Sequence, residues 1–172
     1  MKEREWVHEL IPELQQRVSA LDSSLVVEDG YKLPYASEVR RYSSKGPAQR
    51  NALSYETDIL VSERDGEGSW VPRVVIETKL KSVTTHDAIT YSQKAATHKN
   101  VHPYLRYGIL LAARKHHPLP GRLFRHGANF DFMISWRTLE PLNDEWESLL
   151  YVLSAEVKSF TLFGRNDFQQ SE

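Results

Sequence analysis

Two carboxylates and a lysine in the first half of the sequence have the types and spacing that hydrolytic chemistry requires. Glu77 and Lys79 alternate within an apolar, β-branched segment, residues 71–81, so a period of two predicts that both side chains project from one face of a strand. Asp58 is separated from Glu77 by 18 residues, which include the glycine-rich turn 65–68. We expect the two segments to pair as a hairpin, which brings the carboxylates of Asp58 and Glu77 side by side.

Two adjacent carboxylates favour a bound divalent cation. Like charges in a sheet repel each other unless a cation compensates them, and oxygen ligands that leave open coordination positions suit Mg²⁺ or Mn²⁺. The ammonium group of Lys79 can then orient or deprotonate a water beside the metal, which suits hydrolysis of a phosphodiester. The alternative is a structural cluster of ion pairs among Asp58, Glu77 and Lys79.

A second Glu-x-Lys tripeptide serves as an internal comparison. Glu156-Val157-Lys158 lies in a segment with helical periodicity, and on a helix residues i and i+2 point to nearly opposite sides. We therefore expect no joint site there. The β-branched strand around Glu77 and the upstream aspartate distinguish the first copy.

Asp58 followed by Glu77-Thr78-Lys79 resembles the PD-(D/E)xK signature of the restriction-endonuclease-like nuclease superfamily. The resemblance extends over the order of predicted elements from the first helix to the apolar strand 104–113. It departs from the named motif at Thr57, where the motif has proline. It implies an α/β fold with a restriction-endonuclease-like core, in which helices flank a central mixed β-sheet on both faces.

The resemblance also implies roles for individual residues. Asp58 and Glu77 would bind Mg²⁺, with Mn²⁺ as an alternative metal, and the backbone carbonyl of Thr78 would assist. Lys79 would act on the attacking water.

Nucleases of this superfamily often add a carboxylate from an earlier element and a polar residue from the helix after the lysine strand. For the carboxylate, Glu38 is the better candidate and Glu13 on the first helix is the competitor. For the polar residue, Gln93 is suitably placed, and Lys94 is the alternative that would point inward. The Gln-x-x-x-Tyr pattern of exonuclease relatives is absent, which favours an endonuclease.

The basic residues are unevenly distributed. Residues 79–125 contain nine Lys or Arg and one acidic residue, a net charge of +8, whereas the rest of the chain has a net charge of −9. This asymmetry indicates an anionic partner, of which nucleic acid is the commonest, although basic loops can also be merely solvated. A second basic cluster between Glu38 and Asp58 is interleaved with Tyr35 and Tyr42. The residues expected to contact DNA are Arg40, Arg41, Lys45, Arg50, Lys94, Arg114 and Lys115.

Histidines near the basic stretch raise the alternative of a zinc site. His98 and His102 are four residues apart, and His116-His117 precede His126. We favour contacts with phosphate or solvent, because Pro103 ends the helix that would align the first pair.

The elements that must position these residues fit a single domain of 172 residues, with a polar tail that frays after about residue 163. Helical spacing predicts a first helix from Trp6 to Leu21 and a last helix, opened by Asn143, with an apolar stripe from Trp146 to Phe160. Between them we expect strands over residues 24–29, 55–63, 71–81, 104–113 and 130–136, a helix from about 85 to 99, an irregular or partly paired stretch over 31–54, and a loop over 114–129.

The sequence as a whole predicts a Mg²⁺-dependent DNA endonuclease, most simply a type II restriction enzyme that acts as a homodimer on double-stranded DNA. The absence of cysteine excludes thiolate catalysis and Cys-ligated metals. Four glutamates near the N-terminus argue against a signal peptide, so we expect a cytoplasmic protein that does not contact membranes. The alternatives are a nuclease of repair or mobile-element processing, including one that acts on RNA, and a non-catalytic relative that binds DNA or a protein partner.

Overall fold

A computed structural model describes residues 1–115 and 118–164 of the chain, with side chains described up to residue 158. The elements in chain order are α1 (Glu3–Leu21), β1 (Leu25–Asp29), β2 (Lys32–Arg41), β3 (Gln49–Glu56), β4 (Ile59–Arg64), β5 (Trp70–Leu80), α2 (Thr85–Val101), β6 (Arg106–Ala112), α3 (Gly121–His126), β7 (Phe132–Ser135) and α4 (Asn143–Gly164). Five strands form a sheet in the order β1-β4-β5-β6-β7, and β2 pairs with β3 in a separate two-stranded sheet. The predicted α/β class with a mixed central sheet is confirmed.

The five-stranded sheet changes direction at β5. Strand β4 is antiparallel to both β1 and β5, whereas β5, β6 and β7 are parallel to one another. The ladder between β4 and β5 ends at the pair Ile59 and Ile76. The next position on each strand therefore brings Asp58 opposite Glu77 at the end of the β4–β5 ladder.

Helices cover both faces of this sheet. On one face, α1 and α4 enclose an apolar layer that includes Leu14, Ile76 and Trp146. On the other face, α2 packs its Ala95 against Val75, and α3 adds Leu123 to a neighbouring cluster. The alternation along β5 follows the predicted period of two, with successive residues packing on opposite faces.

Within the described residues, none of the helices combines the length and apolar character needed to cross a membrane.

Three stretches differ from the sequence prediction. Residues 31–54, expected to be irregular or partly paired, contain most of the antiparallel pair β2 and β3, whose register shifts between Pro34 and Ala36 and between Val39 and Arg41. The exposed faces of this pair give no apolar alternation to reveal it. The strand expected over 55–63 is divided between β3 and β4, because Thr57 turns inward to bind the carbonyl of Tyr31. The loop expected over 114–129 contains the six-residue α3, which buries Leu123.

The two-stranded sheet, which we name the ribbon (residues 32–56), is fixed to α2 at its base. Leu33 is buried, and its carbonyl accepts a hydrogen bond from His98 Nε2 at 3.1 Å. The carbonyl of Pro34 accepts one from His102 Nε2 at 3.1 Å. These two histidines therefore anchor the ribbon, and the zinc alternative does not apply to them. The pair His116-His117 lies outside the described residues.

We predict that His98 makes the protein less stable in mild acid. Burial lowers the pKa of His98 from its ordinary 6.5 to about 4, so the folded protein binds fewer protons than the unfolded chain in this range. Its contribution to stability is complete above pH 6.5 and is lost as the pH falls towards 4. The midpoint of thermal unfolding, followed by circular dichroism, should drop between pH 7 and pH 5, and the drop should be smaller in His98→Gln.

The exposed His86 supplies the matched control, because His86→Gln leaves the ribbon anchor intact. The control should retain the wild-type pH dependence. An equal pH dependence in wild type and His98→Gln would contradict the prediction.

Candidate active site

Asp58 is held against β5 by one of its two carboxylate oxygens. Its Oδ2 accepts hydrogen bonds from the backbone N–H of Thr78 at 2.7 Å and from the Thr78 hydroxyl at 2.9 Å. Its Oδ1 has no hydrogen-bond partner among the described residues. Thr78 of β5 therefore fixes the carboxylate while leaving one oxygen available.

Glu77 is likewise held through only one of its two carboxylate oxygens. The side chain is 1% exposed, and its Oε1 accepts hydrogen bonds from Lys94 Nζ at 2.7 Å and from the Tyr107 hydroxyl at 2.5 Å. Burial raises the pKa of Glu77, the neighbouring Asp58 raises it further, and Lys94 offsets part of this rise. Its Oε2 forms no hydrogen bond within the described part of the chain.

Lys79 projects from the same face of β5 as Glu77 and meets the first turn of α1. Its Nζ lies 3.1 Å from Glu3 Oε1 and 5.2 Å from the ring centre of Tyr91 on α2. Burial opposes the charge on Lys79, but contacts with the Tyr91 hydroxyl and with Glu3 outweigh it, so the pKa of Lys79 lies above its usual range. Lys79 is thus a protonated hydrogen-bond donor, suited to orienting a water rather than deprotonating it.

The available oxygens fit a hard divalent cation. Asp58 Oδ1 and Glu77 Oε2 belong to residues that lie opposite each other at the end of the β4–β5 ladder. The backbone N–H of Thr78 points towards Asp58. In an extended strand the carbonyl of the same residue faces the same edge, which adds a third oxygen donor. In the described residues no three His, Cys, Asp or Glu side chains form a metal-binding group. Such a group is not required for Mg²⁺, because Mg²⁺ commonly binds through only one or two carboxylates and completes its coordination shell with water or phosphate.

A cavity of about 150 Å³ opens beside Asp58, whereas Glu77 and Thr78 do not line it. Its lining includes four acidic residues and one arginine, and the acidic residues come from α1, β1 and both sides of the β3–β4 turn. The lining residues are Glu3, Arg4, Val7, Asp29, Gly30, Glu56, Thr57 and Asp58. The concentration of carboxylates at the cavity suits a cation-assisted site.

Three further residues expected at this site lie elsewhere. Glu38 is exposed on the ribbon, six positions and about 20 Å along the strand from Lys32, where β2 begins. Glu13 forms an exposed ion pair with Arg17 on its own helix, at 2.8 Å. Gln93 is exposed on α2, because the helix turns its neighbour Lys94 inward instead. The structure therefore supplies Glu3 where Glu38 or Glu13 was expected.

Sequence reasoning missed Glu3 because its partner is 76 positions away along the chain. The only local signal was an acidic residue in the first turn of a helix, where acids are common because they interact favourably with the helix dipole. The inward position of Lys94 matches the alternative that the sequence left open. The Glu-x-Lys copy at Glu156 lies on α4, as expected, and Glu156 pairs with Arg106 at 3.1 Å.

The basic stretch 79–125 offers less free charge to DNA than its composition predicts. Several of its cations are neutralised by acids from other elements: Lys94, predicted to contact DNA, binds Glu77, and Lys99 binds Asp131 at 2.8 Å. Arg114 donates a hydrogen bond to the carbonyl of Pro118, and Lys115 is exposed. A charge count along the chain could not detect these pairs, because a residue's partners in space are not its neighbours in sequence.

The basic residues of the ribbon behave differently. Arg40, Arg41, Lys45 and Arg50 are exposed, and none forms an ion pair with a residue in the described ranges 1–115 and 118–158. They are the part of the predicted DNA-contacting set that the structure leaves together and accessible.

Comparison of the chain with protein-family models gives no match, and a search of curated proteins gives none either.

We predict that Thr57 cannot be replaced by the proline of the motif that it departs from. Thr57 is fully buried, and both its N–H and its hydroxyl donate to the carbonyl of Tyr31, at 2.9 and 3.0 Å. Thr57→Pro removes both donors and leaves that carbonyl unsatisfied, so the free energy of unfolding should fall by about 1–3 kcal/mol. Urea denaturation measures the change.

The matched variant is Thr57→Ser, which retains both donors and should lose less stability than Thr57→Pro. A Thr57→Pro protein as stable as wild type would show that these hydrogen bonds do not hold the β3–β4 turn.

Proposed function

We propose that the protein is a Mg²⁺-dependent endonuclease that hydrolyses DNA phosphodiesters, with a restriction-endonuclease-like core of the PD-(D/E)xK type. One observation carries the proposal: among the described residues, Asp58 and Glu77 each use one oxygen to bind the protein and leave the other available, and the protonated Lys79 follows Glu77 by two positions on the same face of β5. A purely structural cluster would be expected to use the oxygens of both carboxylates internally.

Each residue has a separate task in this proposal. A bound divalent cation would lower the pKa of a coordinated water and offset the charge that develops on the phosphate. Thr78 fixes the rotamer of Asp58, and Tyr107 fixes that of Glu77, so that both carboxylates are preorganised. Lys79 Nζ holds its proton and donates a hydrogen bond to the attacking water or to a phosphate oxygen.

The contact between Lys94 and Glu77 favours a second candidate function. Lys94 already compensates the buried charge of Glu77, just as Glu3 compensates Lys79. A protein with these pairs can be stable with no metal, which is the property expected of a non-catalytic relative that binds DNA or a partner. Metal binding and cleavage distinguish the two candidates.

A type II restriction enzyme is the most economical form of the first candidate, and a nuclease of repair or mobile-element processing is the alternative. One active site cuts one strand, so cleavage of both strands at a symmetric sequence requires two copies, and the homodimer stays a prediction. Digestion of unmethylated phage DNA separates the possibilities: discrete fragments indicate a restriction enzyme, and a smear indicates a nuclease with little sequence preference.

We predict that Asp58 is required for divalent metal binding. Titration of the wild-type protein with Mg²⁺ or Mn²⁺ in a calorimeter should give a binding signal, and Asp58→Asn should abolish it because the neutral amide oxygen is a weaker ligand. The control is Asp29→Asn, which removes a carboxylate from the same cavity but one that pairs with His8.

The control should bind the metal as wild type does. Unchanged binding by Asp58→Asn would remove Asp58 from the ligand set, and absence of binding to the wild-type protein would favour the non-catalytic candidate.

We predict that Lys79 acts in cleavage rather than only in folding. Lys79→Ala should reduce the cleavage rate of supercoiled plasmid in Mg²⁺ by about 10²–10³-fold, the range typical of losing one hydrogen-bond donor to the charge that develops in the transition state. DNA affinity should change little. The control is Lys81→Ala, which removes an exposed ammonium two positions further along the chain and should cleave as wild type does.

Thermal unfolding of the same variants separates the two roles. If Lys79 served only as the partner of Glu3, Lys79→Ala would be destabilised yet fully active per folded molecule, and that result would overturn its catalytic assignment.

A further inference from the structure

The outer part of the ribbon, residues 37–50, extends away from the rest of the molecule. Every residue in it is exposed except the half-buried Ala48, so neither face of the two strands is covered by the domain. Exposed side chains in this part include Tyr42, which is 81% exposed near the tip. Two strands with both faces in solvent are marginally stable alone, so this segment depends on the anchored base for its position.

The outer ribbon carries a concentrated positive charge. Its four cations, Arg40, Arg41, Lys45 and Arg50, accompany one acidic residue, Glu38, which gives a net charge of +3. None of the four forms an ion pair with a residue that the structure describes. By contrast, Lys79, Lys94, Lys99 and Arg106 of the longer stretch 79–125 form ion pairs within the domain. The outer ribbon therefore concentrates free positive charge in a shorter segment.

Contacts at the base of the ribbon fix the position of its outer part relative to the domain. Beyond the two histidine anchors, the rings of Tyr35 and Tyr55 stack across the strands with centroids 3.8 Å apart, and both meet the edge of His98. Strands are about 4.8 Å apart, so two of them with their side chains fit the B-DNA major groove, which is about 12 Å wide.

From these observations we infer that the outer ribbon is a DNA-binding arm that enters the major groove of a duplex. The inference rests on the proposed nuclease function, for which it names the mode of substrate binding. Arginine side chains can contact both phosphates and guanine edges in that groove. Single-stranded DNA is less well matched, because binding it relies on several aromatic stacking surfaces and the outer ribbon offers only Tyr42.

The arm also begins beside the candidate active site. The carbonyl of Glu56, the last residue of β3, accepts a hydrogen bond from Lys94 Nζ at 2.6 Å, and the same ammonium binds Glu77. Arg41 lies seven positions along the strand from Pro34 at the base, a distance of about 23 Å, which is less than one turn of B-DNA. A duplex held by the arm therefore passes within reach of the carboxylates.

The first test compares two sets of charge removal in the full chain. Arg40→Ala/Arg41→Ala/Arg50→Ala removes three cations from the arm. The matched control, Lys81→Ala/Arg122→Ala/Arg125→Ala, removes three exposed cations from the basic stretch and α3. Affinity for a fluorescein-labelled 20-base-pair duplex is measured by anisotropy in EDTA over a range of salt concentrations, so that cleavage does not interfere.

The arm variant should bind the duplex at least about tenfold more weakly than wild type. Its log–log salt slope should fall by about 2–3 units, close to 0.9 for each phosphate that the arm no longer neutralises. The control should keep the wild-type slope. Equal weakening in the two variants, or weakening only in the control, would overturn the inference.

Cleavage assays in Mg²⁺ keep this test separate from that of the proposed function. If the wild-type protein cleaves DNA and the arm variant binds the duplex as tightly as wild type, the inferred arm is wrong and the proposed function stands. If the arm variant loses DNA binding but the wild-type protein cleaves no DNA, the proposed function is wrong and the inferred arm stands.

The absence of cysteine allows a second test that locates the DNA directly. Ser44→Cys places a single thiol at the ribbon tip for an environment-sensitive fluorophore, and Glu147→Cys places one on the exposed side of α4 as the control. Duplex DNA should change the emission of the tip label and not that of the control label.

Binding partners other than duplex DNA would give different results in the same experiment. A larger change with a single-stranded oligonucleotide, with anionic phosphatidylserine vesicles, or on raising the concentration of the protein itself would overturn the duplex assignment.

Discussion

The burial of one carboxylate organises the structure. Glu77 is almost completely removed from water in the middle of the sheet, and an unpaired charge there would be strongly destabilising. The charge of Glu77 is compensated by Lys94 from α2 and by the hydroxyl of Tyr107 from β6. Both elements must therefore pack against β5 in the position along the strand that brings these groups to Glu77. Tyr107 in turn stacks on His98, with ring centres 5.5 Å apart, and His98 holds the base of the ribbon. The geometry of the candidate active site and the placement of the ribbon are therefore consequences of one packing arrangement.

Much of the scaffold could be predicted because its signals are local. The apolar β-branched pattern of residues 71–81 indicated β5 and its two faces, and the turn before it indicated the antiparallel partner. The segment Ser82 to Thr85 supplied an N-cap, and Thr84 caps α2 by accepting a hydrogen bond from the N–H of Asp87. The adjacency of Asp58 and Glu77 followed from these local patterns, since a hairpin register places both residues at the end of the shared ladder.

The remaining features depend on pairings between distant parts of the chain, which local patterns do not encode. Lys79 meets Glu3 across nearly half the chain, and the choice between Gln93 and Lys94 depends on the exact rotation of α2 over the sheet. The strands of the ribbon could not be predicted for a different reason. Strands are recognised in a sequence by the alternation of apolar and polar residues, and a strand pair exposed on both faces needs no such alternation.

The ribbon leaves and rejoins the sheet at a single point, since Asp29 at the end of β1 is paired with Ile59 at the start of β4. It is thus an insertion within a hairpin, and the entropy of closing such a loop grows only with the logarithm of its length. Residues 37–50 can consequently lengthen, shorten or be exchanged for another sequence while the base, the sheet and the buried carboxylate stay as they are. An architecture of this kind lets the proposed DNA-binding arm diversify independently of the candidate active site.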